Sequence, residues 1–163
     1  MSMYKNIRDI VSVFRNDETL LRLMHYLPED QYSNRPDPLD KSLENILDID
    51  EDWAIRDKVL KLVPKTEELE DEPLCRIYLY AGKRDRDENY AMANQQIIVD
   101  ILCHSEYEQD LRSMRIGDRV NELLVHSRVT GIGKVDYLQG APFPVPNNYI
   151  GYRHIYTFGS LKR

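Results

Sequence analysis

Two sets of apolar residues recur at intervals of three and four within the first 28 positions, which is typical of amphipathic helices. The first set is Ile7, Ile10, Val11 and Phe14, and the second is Leu20, Met24 and Leu27. Asn16 and Asp17 can cap the second helix, and Pro28 ends it. Residues 29–39 contain two prolines and several turn-forming residues. They predict a loop that leaves this helical pair.

Two further helices are predicted before residue 65. A short one fits Lys41–Leu47. The acidic residues 48–52 would favour the N-terminus of the next helix through its dipole, with Trp53 near its start and Pro64 at its end. The apolar face of that helix would contain Ile55, Val59, Leu62 and Val63.

The periodicity changes from helical to alternating after a charged connector, residues 65–73. Arg76–Ala81 alternates apolar and polar residues and predicts a strand, followed by a polar turn at Lys83–Asn89. Asn94–His104 is mostly apolar on both faces, which predicts a central strand covered on both sides. We expect residues 76–104 to form a hairpin.

The remaining residues predict a helix and two more strands. Apolar residues within Asp110–Ser127 follow helical spacing. Strands are expected at Lys134–Gln139 and Tyr149–Phe158, with a proline-rich excursion between them. The predicted core is therefore β-β-α-β-β, with the helix covering one face of an antiparallel sheet. This is an α+β fold in a single domain, 1–163, with a helical section 1–64, the connector 65–73 and a sheet core 74–163.

Length, charge and cysteine content narrow the class of protein. With 163 residues, 42% of them hydrophobic and 31% charged, the chain suits one soluble globular domain. It lacks an apolar run of roughly 20 residues and a secretory signal, so we expect it in the cytoplasm. Cys75 and Cys103 form no CxxC motif. This argues against a zinc cluster or a disulfide framework and predicts buried free thiols.

The net charge of −6 is unevenly distributed along the chain. Residues 1–75 have a balance of −8 and residues 76–163 a balance of +2. The acidic half would repel a polyanion, so nucleic acid is not expected as the primary ligand. Opposite charges on the two halves suit head-to-tail self-association, although a solvated surface explains them as well.

The nearest approach to a catalytic or metal-binding constellation lies around Asp100, His104 and Asp110, with Glu106 and Glu108 between the latter two. On a strand, Asp100 and His104 would lie about 13 Å apart, too far to share a metal ion. We therefore expect no metal or other cofactor. An enzyme with its polar centre at Asp100, His104 and Asp110 is the alternative interpretation.

A buried Asp100 requires a cationic partner. Arg112 and Arg115, on the helix expected to cover the sheet, are the predicted partners in a structural ion pair. Common nucleotide-binding, hydrolase and metalloprotease motifs do not occur. Gly131–Lys134 resembles a phosphate-binding loop, but it precedes a strand, so a turn is the expected structure.

Two segments are candidates for contact with other chains. The charged residues 83–89 form either a solvated hairpin tip or a polar finger that contacts a partner. The proline-rich residues 141–146 either pack back on their own domain or dock onto a neighbour. The predicted protein-interface residues are Lys83, Arg84, Arg86, Phe143, Val145 and Tyr149. A small adaptor that binds a host protein through residues 140–149 is a further alternative.

The segment from Arg76 to Phe158 resembles the tail terminator and neck proteins of long-tailed bacteriophages. The resemblance rests on the RIYLYAG and NQQIIVDILCH strands, the RSMRIGDRVNELL helix, the GIGKV turn and the closing GYRHIYTF strand. It implies a non-enzymatic structural subunit of the virion that forms a hexameric ring at the head-proximal end of the tail, stops polymerisation of the tail tube and docks to the head. The helical N-terminal section is longer than in short members of that family, so an adjacent neck component is also possible.

The partners implied by this resemblance are copies of the chain itself, the tail tube protein and the head–tail connector or neck proteins. Neither a membrane nor a specific nucleic-acid sequence is an expected partner, and contact with DNA would be limited to its passage through the lumen of the ring. The protein would assemble in the host cytoplasm and then reside in the tail–neck region of the virion.

Overall fold

Helices dominate the first part of the chain and strands the second. A computed structural model describes residues 3–64, 69, 72–86, 92–128 and 134–161. The helices in these ranges are α1 (Met3–Arg15), α2 (Glu18–His25), α3 (Ile46–Ile49), α4 (Ala54–Val59), α5 (Ser105–Glu108) and α6 (Arg112–Leu124). The strands are β1 (Leu60–Lys61), β2 (Cys75–Arg86), β3 (Met92–His104), β4 (Asp136–Pro142) and β5 (Tyr149–Leu161). The predicted turn at Gly131–Gly133 and most of the connector 65–73 lie outside the described residues.

The first two helices form where the apolar spacing predicts them. Ile10, Val11 and Phe14 of α1 are buried. Asp17 caps α2, because its Oδ2 accepts a hydrogen bond of 2.9 Å from the backbone N–H of Leu20. The loop after Pro28 is also as predicted, since no helix or strand is formed again until Ile46 in this fully described stretch.

The next two helices differ from the predictions. The helix predicted over Lys41–Leu47 begins only at Ile46, because the Asn45 side chain accepts the backbone N–H of Leu47 and starts the helix there. The following helix ends at Val59 instead of continuing to Val63. Leu60 and Lys61 leave the helix to pair with β2, which gives their backbone groups partners in the sheet.

The strands form one five-stranded sheet in the order β1-β2-β3-β5-β4. The β2–β3 hairpin, the covering helix α6 and the β4–β5 pair confirm the α+β class and the β-β-α-β-β order. Every neighbouring pair of these four strands is antiparallel. The added pair of β1 with β2 is parallel, so the complete sheet is mixed.

The main hydrophobic core lies between the helices and one face of the sheet. α1 packs on β2, whereas α6 packs on β3 and β5. β3 contributes Ile97, Val99, Ile101 and Cys103 to this face. Cys75 and Cys103 are opposite each other in the β2–β3 register, and both are buried free thiols, as predicted.

A smaller cluster covers part of the opposite face of the sheet. Its buried members are Leu69, Leu74, Tyr78, Leu102 and Tyr149. β3 is therefore covered on both sides near its C-terminal end, in agreement with its continuous apolar pattern. Within the described ranges, no helix has the length and apolarity that a membrane crossing requires.

Candidate assembly surfaces

The buried carboxylate of Asp100 is neutralised by β5 and not by the covering helix. Arg153 Nε donates to Asp100 Oδ1 at 2.7 Å, and its second nitrogen donates to Oδ2 at 3.0 Å. Tyr80 donates its hydroxyl to the same carboxylate at 2.5 Å. Burial and this hydrogen bond raise the pKa of Tyr80 to about 12. Asp100 projects from the face of the sheet opposite α6, so the predicted pair with Arg112 or Arg115 is wrong.

Both of these arginines instead attach α6 to the helical layer. Arg112 is fully buried and pairs with Asp110 at 2.9 Å. It also donates to the backbone carbonyls of Leu23 and Tyr26, at the C-terminal end of α2, where a cation is favoured by the helix dipole. Arg115 pairs with Asp110 and with Asp37 of the loop after α2.

The structure does not gather Asp100, His104 and Asp110 into one polar centre. Each has a separate structural partner: Asp100 binds Arg153, Asp110 binds Arg112, and His104 caps α5 by accepting the backbone N–H of Glu106. No group of three or more histidine, cysteine or acidic residues is arranged to hold a metal ion in the part of the chain that the structure describes. Each of these three side chains therefore has a structural contact of its own.

The two segments predicted to contact other chains lie at opposite ends of the long strands. Lys83 and Arg84 are exposed near the distal end of β2, where Lys83 pairs with Asp85 at 3.4 Å. The side chain of Arg86 lies outside the described part. The proline-rich segment precedes β5, whose first residue, Tyr149, is opposite His104 at the other end of β3.

The proline-rich segment packs back on its own sheet, which was one of the two predicted alternatives. Phe143 and Val145 are half-buried against the smaller cluster, and Arg153 lies over the Phe143 ring at 4.8 Å. Tyr149 is only 7% exposed and donates its hydroxyl to the carbonyls of Leu69 and Glu72. It therefore belongs to the core of its own chain, and its prediction as an interface residue is wrong.

An aromatic pocket of about 190 Å³ opens beside α6 and the edge strand β4. Its floor is His154, whose Nδ1 is hydrogen bonded to the Tyr137 hydroxyl at 3.0 Å. Tyr152 and Tyr156 pack against the same imidazole ring. Burial lowers the pKa of His154, which favours the neutral form of the ring, and the ring packs against Gly117 of α6.

Three exposed aromatic side chains in the helical half were not predicted from the sequence as contact residues. Tyr4, Tyr32 and Trp53 are 71%, 100% and 39% exposed, respectively. Surface aromatic residues of this kind are enriched where proteins contact one another. The signal in the sequence is weak, because a tyrosine in a polar loop and a tryptophan after an acidic run are both compatible with burial.

Comparisons with known proteins show the family to which the chain belongs. The YomW family model matches residues 17–158. The SPbeta prophage-derived uncharacterized protein YomW of Bacillus subtilis (strain 168) is 34% identical over 170 residues, which cover 98% of this chain and 100% of that protein. A chain of the virion of a native gene transfer agent (GTA) particle has a similar fold, with a TM-score of 0.51 and 14% identity over 93% of this chain and 90% of that chain. The protein described here belongs to the YomW family.

Proposed function

We propose that this chain is a structural protein of a phage virion and acts as the terminator of its tail. In this role, copies of the chain form a hexameric ring at the head-proximal end of the tail tube. The ring ends polymerisation of the tube and provides the surface to which the head connector binds. The protein works through shape and charge and does not transform a substrate.

The similarity to a chain in a GTA virion is the observation that carries this proposal. The likeness extends over nine-tenths of both chains, so it includes the helical section as well as the sheet. The family relationship to a prophage-derived protein supports the same context. Similarity of fold alone leaves function open, so the chemistry of the surfaces has to agree with it.

The arrangement of charged groups favours assembly over catalysis. A general acid or base has to be within hydrogen-bond reach of a bound substrate, yet the carboxylate of Asp100 is already occupied by Arg153 and Tyr80. Asp110 is likewise committed to Arg112 and Arg115. Under the alternative enzyme interpretation, these groups would have to abandon contacts that hold the fold together.

The two ends of the sheet offer different surfaces for the two neighbours of a terminator ring. Gln95 lies opposite Arg84 near the charged tip, and His104 lies opposite Tyr149 near the proline-rich segment. Nine residue steps along β3 separate these positions, which corresponds to about 30 Å. In the proposed ring, one end contacts the tail tube and the other presents a surface to which no further tube subunit adds.

Deletion of the gene from an intact phage tests this function. We expect free heads together with tails of uncontrolled length, observed by electron microscopy, and restoration of virions by the wild-type gene. Normal virions from the deletion strain would contradict the proposal. Tails of normal length beside free heads would instead assign the chain to an adjacent position in the neck.

Complementation with His104→Asn separates the structural role from the enzyme alternative. Asparagine retains the ability to cap α5 but cannot act as a general base. We expect this variant to restore virions as well as the wild type does. Failure of a folded His104→Asn protein to complement would favour the enzyme interpretation.

A further inference from the structure

Tyr32 projects from a loop whose backbone is held by its own hydrogen bonds. The backbone groups of Asp30 and Arg35 exchange two hydrogen bonds of 2.9 Å, and the Asp30 side chain accepts the backbone N–H of Tyr32 at 3.0 Å. Arg35 Nε also donates to the Pro28 carbonyl at 2.6 Å. The ring at the tip is nonetheless 100% exposed. A preorganised loop with an exposed aromatic side chain loses little entropy on binding.

A groove of about 390 Å³ lies between α1 and the residues that flank α4 and β1. Its apolar lining consists of Tyr4, Ile7, Val11, Trp53 and Leu62. Trp53 adopts a left-handed backbone conformation with φ of 63°, which is unusual for a bulky residue. The guanidinium groups of Arg15 and Arg56 lie 5.9 and 4.0 Å from its ring centre. Tryptophan, tyrosine and arginine are the residues most enriched in binding hot spots.

The charges of the groove and the loop are opposite. The groove contains Arg8 and Arg15 and no acidic residue. Arg15 has an ion pair with Asp57 at 3.7 Å, and its buried Nε makes no hydrogen bond within the described residues. The loop, residues 29–40, contains four acidic residues and one arginine. Complementary charge of this kind orients two surfaces during association.

The loop and the groove lie on different flanks of the helical layer. The loop is attached to α6 by the ion pair between Asp37 and Arg115, and α6 lies over β3 and β5. The groove belongs to α1, which lies over β2. Two complementary surfaces at different places on one chain produce a heterologous contact, which forms a closed ring when the rotation between successive copies closes and a helical filament when it does not.

We infer that the Tyr32 loop of one copy binds in the Trp53 groove of the next copy and forms the lateral contact of the proposed ring. The Tyr32 ring packs against Trp53 and the apolar wall of α1, and Glu29 of the loop faces Arg8. The inference rests on the proposed ring, but it specifies a contact that can be tested without a phage.

Cysteine cross-linking in the purified full-length chain tests this contact. Gln31 is exposed beside Tyr32, and Ser12 is exposed and lines the groove, so Gln31→Cys and Ser12→Cys in one chain bring two new thiols together at each lateral contact while the Tyr32 ring is retained. The native thiols of Cys75 and Cys103 are buried and serve as an unreactive background. We expect oxidation at high protein concentration to produce a ladder of covalent oligomers from the double variant and nothing beyond dimers from either single variant.

A displaced cysteine provides the matched control. Ser105→Cys replaces Ser12→Cys at an exposed position on α5, away from the groove. A ladder of equal intensity from the Gln31→Cys/Ser105→Cys variant would show random collision and would overturn the inference. Absence of a ladder from the groove variant would overturn it too, whether or not the wild type self-associates in sedimentation experiments.

Sedimentation equilibrium measures the energetic part of the inference. We expect Tyr32→Ala to weaken self-association at least tenfold, as for a hot-spot residue, and Leu138→Ala on exposed β4 to leave it unchanged. Glu29→Arg and Arg8→Glu should each weaken it roughly two- to fivefold, and their combination should restore it. Additive weakening in the combined variant would overturn the charge pairing.

These measurements fail independently of the proposed function. Self-association without the ladder would refute this contact and leave the ring proposal intact. The ladder together with normal virions from the deletion strain would support this contact and refute the proposed terminator function.

Discussion

Substitution of Gly117 by alanine tests whether α6 is positioned by the His154 ring. Gly117 is buried in the middle of α6, and a Cβ atom built there would lie 2.8 Å from His154 Nε2. Ordinary van der Waals contact begins at 3.4 Å, so the helix and the ring would have to separate by roughly 0.6 Å. The ring cannot turn aside freely, because it is hydrogen bonded to Tyr137 and packed between Tyr152 and Tyr156.

Two opposing effects determine the expected change in the free energy of unfolding. Alanine in a helix interior is favoured over glycine by about 1 kcal/mol. Overpacking of a well-filled core costs about 1–3 kcal/mol. Because the contact here is with a constrained ring, we expect the steric effect to dominate and Gly117→Ala to destabilise the protein by about 1 kcal/mol. In a His154→Ala background the obstruction is absent, so the same substitution should stabilise by about 0.5–1 kcal/mol.

The wild type, Gly117→Ala, His154→Ala and the double variant form a double-mutant cycle. Urea denaturation of these four proteins, followed by circular dichroism, measures the coupling between the two positions. The reversal of sign between the two backgrounds is the diagnostic result, because a general effect of glycine on helix stability would have the same sign in both. Stabilisation by Gly117→Ala in the wild-type background would refute the reasoning. A loss of equal size in the His154→Ala background would refute it as well.

Three further outcomes are expected. Asp100→Ala should lower the free energy of unfolding by about 2–3 kcal/mol in urea denaturation, because the partners of a buried carboxylate are left unpaired. The same change at exposed Asp136 should alter this free energy by no more than about 0.5 kcal/mol. Burial lowers the pKa of His154 from its ordinary value of 6.5, so the unfolded chain binds a proton at this residue more readily than the folded chain does. The free energy of unfolding should therefore fall as pH drops below about 6.5. An equally steep dependence of this free energy on pH in the His154→Phe variant would contradict this. Cys75 and Cys103 should react with a thiol reagent only after denaturation, because both are fully buried and burial raises the pKa of the Cys103 thiol; rapid labelling of the native protein would contradict their placement.

Regular patterns of apolar residues were sufficient to predict most of the secondary structure. The spacing of Ile10 and Phe14 predicts α1, and the continuous apolar run of β3 predicts a strand covered on both faces. Local capping was also predictable, since Asp17 contacts a backbone group only three residues away. In these cases, the information lies within a few neighbouring residues, where helical or strand geometry determines which side chains share a face.

The sequence was a poor guide where distant segments compete for the same residue. α4 could not be bounded correctly, because Leu60 leaves it to pair with Ile77 of β2. The partner of Asp100 was misassigned because the alternation of β3 does not reveal which face meets α6. The β3–β5 register places Arg153 directly opposite Asp100, and that pairing joins residues 53 positions apart.

The sequence by itself therefore determined the α+β class, the order of the core elements and the lack of a recognisable catalytic motif. Only the tertiary structure decided which charged groups are paired, that Tyr149 is buried, and that Tyr32 and the Trp53 groove are exposed on different flanks. The physical reason is that periodicity reports which side of its own element a residue occupies. Partners and exposure depend instead on how elements pack across the sheet, and that packing joins residues far apart in the chain.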